Sequence, residues 1–293
     1  MNMKITSYLP LAALVCLAAC NSNNNETQND EIIASNAPAL TLAWETDTTL
    51  ITPESVIYDA QNDVFYVSCI GAMPPEKKDG DGYIAKIGAN GEIIENKWIA
   101  GLDAPKGMAI SGETLYVADI DKLVAIDIKS GKVLSKTLIT GATFLNDADA
   151  APNGDIYLTD SDLNTVFVVS GPNITELYKN EALGRLNGIF VEDDRSLLLG
   201  FNSGKLFTLS DTTLTEVAQD MPKADGIERY GNGYFTSGWD GEIYHLDNEW
   251  NKTKVLDTKE EKVNAADIKV VESKNLLLVP GFFANKIVAY TIN

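Results

Sequence analysis

Residues 105–138 read PKGMAISGETLYVADIDKLVAIDIKSGKVLSKTL. Four short runs rich in apolar and β-branched residues, at 107–110, 114–118, 123–128 and 133–138, are parted by turn residues such as Ser111-Gly112 and Ser130-Gly131. Runs of that length between glycine turns predict four short antiparallel strands. The opening Pro105-Lys106-Gly107-Met108 has five counterparts: Pro53-Glu54-Ser55-Val56, Leu145-Asn146-Asp147-Ala148, Leu186-Asn187-Gly188-Ile189, Ala224-Asp225-Gly226-Ile227 and Ala265-Ala266-Asp267-Ile268. Counted on the second residue of each, the spacings are 52, 40, 41, 38 and 41. A period near that size, with four strands in each unit, is the signature of propeller blades. Asn153-Gly154, Asn232-Gly233 and Asp240-Gly241 mark turns in the later units.

The sixth unit has runs at 268–271, 276–279 and 287–292 and then lacks a strand, while Leu40-Thr41-Leu42-Ala43-Trp44 stands upstream of the first unit, about where a fourth strand precedes every other opening. The expectation is an all-β fold over residues 38–293: a six-bladed β-propeller of four-stranded antiparallel blades, with the N-terminal strand completing the last blade and removing the open edges. A β-solenoid or an open sandwich gives no reason for this complement between the two ends.

Lys+Arg number 23 and Asp+Glu 42 in 293 residues, a net charge of −19. Such a field repels phosphate backbones and anionic lipid surfaces and attracts small cations, so no nucleic-acid partner is expected. At 45% hydrophobic residues the chain is ordinarily globular. Its first 19 residues are a separate object. Lys4 precedes an apolar run too short to span a bilayer comfortably, and the segment ends Leu17-Ala18-Ala19 before Cys20. This resembles a bacterial lipoprotein signal peptide, which implies lipidation of Cys20; Asn21, rather than Asp, after the cysteine points to the periplasmic side of a Gram-negative outer membrane. The polar tract that follows, within residues 20–37, cannot offset its ordering entropy by burial and reads as a tether. Cys16 leaves with the signal and Cys20 carries lipid, so Cys69 stands alone in an apolar run as a buried structural thiol.

In a propeller the same position of every repeat faces the same way. Glu54, Lys106, Asn146, Asn187, Asp225 and Ala266 should therefore ring one mouth of the central channel. Two carboxylates and two amides converge there, and hard oxygen of this kind suits Ca²⁺, with Mg²⁺, Mn²⁺ or Zn²⁺ as other divalent candidates. His245 is the only histidine, and it lies in a strand, which argues against a dedicated zinc site. The plainer reading is that these residues hydrogen-bond the turns entering each inner strand. That accounts for one or two of them, not for polarity at five of six equivalent positions.

Thr52-Pro53-Glu54-Ser55-Val56, Leu145-Asn146-Asp147, Leu186-Asn187-Gly188 and Ala224-Asp225-Gly226-Ile227 resemble the motifs of the senescence marker protein/gluconolactonase/luciferin-regenerating enzyme family, over roughly residues 40–293. The resemblance implies Glu54, Asn187 and Asp225 as metal ligands, with Asn146 completing the metal's coordination or touching substrate. It implies hydrolysis of lactones or related esters, or of phosphotriesters, with Asp225 or a metal-bound water as base or nucleophile. The arginine that sugar-lactone members carry just before the blade-three Asn is missing from Gly141-Ala142-Thr143-Phe144-Leu145. Phe144, Trp239, Phe282 and Phe283 near the channel suggest a more apolar small-molecule substrate. Lys106 either contacts an anionic substrate or pairs with Asp147, and Asp147 and Asp267 are expected to hydrogen-bond around the metal and its waters. Residues 71–82 lengthen blade one and predict a loop at the channel mouth. The alternative from another class is a non-catalytic propeller that binds a ligand or a protein, with structural calcium. A monomer held to the membrane only by its lipid is expected.

Overall fold

The computed structural model describes residues 37–293; the signal segment, Cys20 and the tether through residue 36 lie outside the described residues. Twenty-four strands form six four-stranded antiparallel sheets. Blade one is β2 (Pro53–Asp59), β3 (Val64–Cys69), β4 (Gly82–Gly88) and β5 (Ile93–Leu102). Blades two to five repeat this plan, with inner strands β6 (Pro105–Ser111), β10 (Leu145–Ala150), β14 (Leu186–Val191) and β18 (Ala224–Tyr230). In blade six β22 (Lys269–Val271), β23 (Leu276–Gly281) and β24 (Lys286–Ile292) are joined by β1 (Leu40–Glu45), which pairs antiparallel with β24 from Leu40 opposite Ile292 to Glu45 opposite Val288. The ring closes with the N-terminal strand outermost in the last blade.

Burial follows the radius. Strand β3 is buried throughout, while the outermost strand of blade two, β9 (Lys132–Leu138), is exposed at every residue. Inner and middle strands face a neighbour on each side, so alternate residues serve two different cores. Phe65, Val67 and Cys69 pack towards blade six, and Val64 and Tyr66 towards blade two. Six hydrophobic clusters result, one at each junction between blades. Cys69 lies wholly inside the first, and burial pushes its thiol up to about 12, which fits a structural residue. His245 packs its ring edge-on to Phe235 at 5.3 Å and is likewise structural. Among the described residues no helix is long and apolar enough to cross a membrane.

One irregularity recurs where the inner strands begin. Pairing slips between Pro53 and Ser55, Pro105 and Met108, Leu145 and Ala148, Leu186 and Ile189, and Ala224 and Ile227. Each slip leaves a ladder amide unpaired and turns the local side chain off the pleat. Hydroxyls on the second strand answer three of these amides. Ser68 Oγ accepts from Ser55 N at 3.0 Å, Thr159 Oγ1 from Asp147 N at 2.9 Å, and Ser237 Oγ from Gly226 N at 2.8 Å. Thr159 then donates to the Asn187 carbonyl and Ser237 to the Ala266 carbonyl, both at 2.7 Å, so one hydroxyl satisfies its own bulge and ties it to the next blade.

Candidate functional site

Glu54, Lys106, Asn146, Asn187 and Asp225 occupy the bulges at the start of their inner strands and line one cleft of about 150 Å³ at the channel mouth. Ala266, the sixth equivalent, is buried in an apolar cluster at the same level, with Ile70, Ala104, Ile120 and Phe282. Two residues before Glu54, Asn187 and Asp225, the backbone takes the left-handed conformation at Thr52, Arg185 and Lys223, with φ of 49°, 62° and 51°. Arg185 is held there by Asn164, whose Oδ1 accepts from the amides of Arg185 and Leu186 at 2.6 and 3.1 Å.

Glu54 Oε2 and Asp225 Oδ1 are buried carboxylate oxygens with no hydrogen-bond partner. A buried polar atom left in this way costs about 1–3 kcal/mol, and more when charged. Burial is the first cause that raises the Glu54 carboxyl well above its ordinary range, followed by the charges of Asp225 and Asp267, with Lys106 opposing. Asp225 is raised in the same way, by burial and then Asp267, against the Asn187 amide. Asn146 commits Nδ2 to Ser161 Oγ at 2.9 Å, which leaves its Oδ1 as the atom available to a cation. Among the described residues no three His, Cys, Asp or Glu side chains gather to hold a metal, so a cation here would rely on two carboxylates and two amides. That donor set fits a hard divalent ion such as Ca²⁺, and its two unpartnered oxygens are what such an ion would satisfy.

Lys106 does not pair with Asp147, as one sequence reading had it. Its long stem lets Nζ donate instead to the carbonyls of Pro75 at 3.2 Å and Ala104 at 3.0 Å, and the ammonium lies 4.4 Å from the centroid of the Phe144 ring. Burial pushes its pKa down to about 8, against the charges of Glu54, Asp119 and Glu76. Asp147 and Asp267 stand one layer further down the channel, around a polar cavity of about 20 Å³, room for a single water. Asp267 accepts from Ser55 Oγ at 2.6 Å, while Asp147 accepts from the amides of Ala148 and Ile189 at 2.7 and 2.8 Å.

The walls are apolar. Phe144, Trp239 and Phe282 line the cleft as expected, with Trp239 edge-on to Phe282 at 4.7 Å. Phe283 is 59% exposed and packs on this pair from outside the cleft. Residues 71–82 contribute Met73 and Pro75 to the wall. Sequence reasoning missed these two, and also Ile70, Phe201 and Arg185. The signal for the last three was present. Ile70, Phe201, Trp239 and Phe282 each follow the second strand of a blade directly, and Arg185 precedes Asn187 by the same two residues that separate Phe144 from Asn146.

No protein-family model matches the chain, and no curated protein resembles it in sequence. Solved structures resemble it in fold. A catalytically inactive variant of virginiamycin B lyase from Staphylococcus aureus, solved with quinupristin, aligns with a TM-score of 0.62 at 14% identity, over 87% of this chain and 100% of the lyase. An auxiliary nutrient binding protein from Bacteroides thetaiotaomicron aligns with a TM-score of 0.65 at 12% identity, over 83% of this chain and 69% of that one. A chain of a nidogen/laminin complex aligns with a TM-score of 0.57 at 15% identity, over 70% and 79%. At such identities the likeness is one of fold, and the fold carries both an enzyme and binding proteins.

Proposed function

We propose that this propeller is a divalent-metal-dependent hydrolase of lactones or related esters, akin to the senescence marker protein/gluconolactonase/luciferin-regenerating enzyme family, with Ca²⁺ held by Glu54, Asn146, Asn187 and Asp225. The observation that carries the reading is the pair of buried, unpartnered oxygens, Glu54 Oε2 and Asp225 Oδ1, at the floor of the same cleft. Bound calcium would supply Lewis acidity towards a carbonyl or phosphoryl oxygen. Asp225 accepts the proton of the attacking water as its oxygen bonds to the acyl carbon; the carbon–oxygen bond to the leaving alcohol breaks, and that alcohol takes the proton back. The apolar wall of Phe144, Trp239 and Phe282 keeps bulk water from the acyl group. In the same reading, lipid on Cys20 anchors a monomer at the periplasmic face of the outer membrane.

The test is a metal-loaded panel of aliphatic and aromatic lactones, aryl esters and organophosphates, with wild type and Asp225→Asn side by side. Removing general-base chemistry should lower turnover by roughly 100-fold or more at saturating metal. Turnover that survives Asp225→Asn overturns the catalytic role. A metal-loaded protein inert across the panel is instead a ligand- or protein-binding propeller with structural calcium, the use that the nutrient-binding neighbour suggests.

A further inference from the structure

The cleft has a charge pattern that the metal reading leaves unused. Its charged lining residues are Glu54, Asp225, Lys106 and Arg185. A divalent cation would balance the two carboxylates, which leaves Lys106 and Arg185 as charges that no other residue of the lining offsets, in a chain whose overall charge is −19. Both converge on one ring: Lys106 Nζ lies 4.4 Å and the Arg185 guanidinium carbon 5.4 Å from the Phe144 centroid. Two of the three Lys106 N–H groups go to backbone carbonyls, which fixes the ammonium in place. Arg185 is differently placed. Its one ion pair among the described residues is with Asp162 at 2.9 Å, and the two side chains are 41% and 49% exposed. A pair so exposed is worth about 0–1 kcal/mol, so a carboxylate entering the drier cleft can displace Asp162 from the guanidinium.

Lys106 and Arg185 lie towards Phe144, whereas Trp239 and Phe282 form a separate edge-on aromatic pair. A cleft of about 150 Å³ accommodates something near one benzene ring. Apart from the floor residues and these two cations, the wall offers few hydrogen-bonding side chains, which disfavours a polyol. We infer that the site selects small apolar or aromatic acyl compounds that bear a carboxylate, the acidic end held at Phe144 by Arg185 and Lys106 and the apolar body against Trp239 and Phe282. This rests on the hydrolase reading for the acyl chemistry, but the recognition of the acid does not require metal.

The probes are phenylacetate and phenylacetamide, which share a ring and differ in charge. Each is titrated calorimetrically into wild type, Arg185→Ala and Arg185→Gln, once with calcium and once with chelator, and calcium is titrated separately. Wild type should bind the acid at least tenfold more tightly than the amide in both media. Arg185→Ala and Arg185→Gln should each remove most of that preference, move amide affinity by no more than about twofold, and not weaken calcium, because each deletes a neighbouring positive charge. Equal affinity for acid and amide overturns the inference. So does a preference that needs calcium and survives both substitutions, since the carboxylate would then sit on the metal. Failure of the calcium titration alone removes the hydrolase reading and leaves the arms in chelator to decide this one.

Discussion

Asp225→Asn should stabilise the protein without calcium and weaken its response to calcium. In wild type the carboxyl is 2% exposed, Oδ1 has no partner, and the charges of Asp267 and Glu54 are close enough to act on the same pair. Leaving such a group unsatisfied costs about 1–3 kcal/mol, and the charge adds to it. Asparagine keeps the shape and an oxygen but deletes the charge and with it the repulsion from Glu54 and Asp267, so in chelator at pH 7.5 the variant should gain about 1 kcal/mol or more. For a domain of this size about 1 kcal/mol moves the melting temperature by roughly 2–4 °C, which predicts a rise of several degrees. Calcium at a hundred times its dissociation constant should stabilise wild type by about 2.7 kcal/mol, and the variant by distinctly less, because a ligand charge is gone. Scanning calorimetry of both proteins in chelator and in calcium reads all four values. A variant that melts below wild type in chelator, with an undiminished calcium increment, would refute the argument that Asp225 is a charge waiting for a cation.

The pH dependence of the metal-free protein should follow from the same burial. Glu54, Asp147 and Asp225 are held well above their usual range and Asp267 is raised to about 6, in each case by burial first. A raised carboxyl stabilises the fold while protonated and loses that contribution as pH climbs through its folded pKa, so in chelator the melting temperature should fall from pH 5 to pH 8, and calcium should flatten the slope. Gly226→Ala would place a methyl 2.5 Å from Asp267 Oδ1 and 2.6 Å from the Ile268 amide, and backbone cannot retreat easily. A loss of about 1–3 kcal/mol or more in urea unfolding is expected, and an unchanged midpoint would show that the blades can separate there. Cys20→Ser should release the protein from membranes and abolish labelling by a fatty-acid analogue; equal labelling would end the lipid-anchor reading.

The architecture was legible because the repeat carries local signals. Strands expected at 114–118 and 133–138 are Thr114–Asp119 and Lys132–Leu138, and the strand expected at 40–44 is Leu40–Glu45, on the blade that lacked one. Apolar alternation and glycine turns fix such boundaries without reference to distant residues. The mouth was legible for the residues whose repeat position was followed, Glu54 to Asp225, and illegible where it was not. Arg185 shares its offset with Phe144, yet it was invisible while only the aromatic was considered. The slip in pairing that aims Glu54 and Asp225 inward has no sequence mark of its own. It depends on Ser68 and Ser237, more than ten residues away, to receive the freed amides. The expected Lys106–Asp147 pair does not form because a four-carbon stem can choose among several acceptors, and here backbone carbonyls win over Asp147.

Closing the ring with β1 also sets an order of events during folding. Blades one to five each assemble from strands adjacent in sequence, whereas the outer edge of blade six forms only when β1 pairs with β24, which brings Thr41 within a hydrogen bond of Asn293, 252 residues away. Loop-closure entropy grows only slowly with length, by about 0.6 kcal/mol per doubling, but the rate of finding so remote a partner falls with contact order. The last seam is therefore expected to be the slow step. Ala39 and Asn293 exchange backbone hydrogen bonds at 3.2 and 2.9 Å, close enough for a short peptide to join them. A circular permutant linked there and opened between β1 and β2 would make every blade sequence-local. It should refold faster than the natural order while leaving the channel mouth, and whatever binds in it, unchanged.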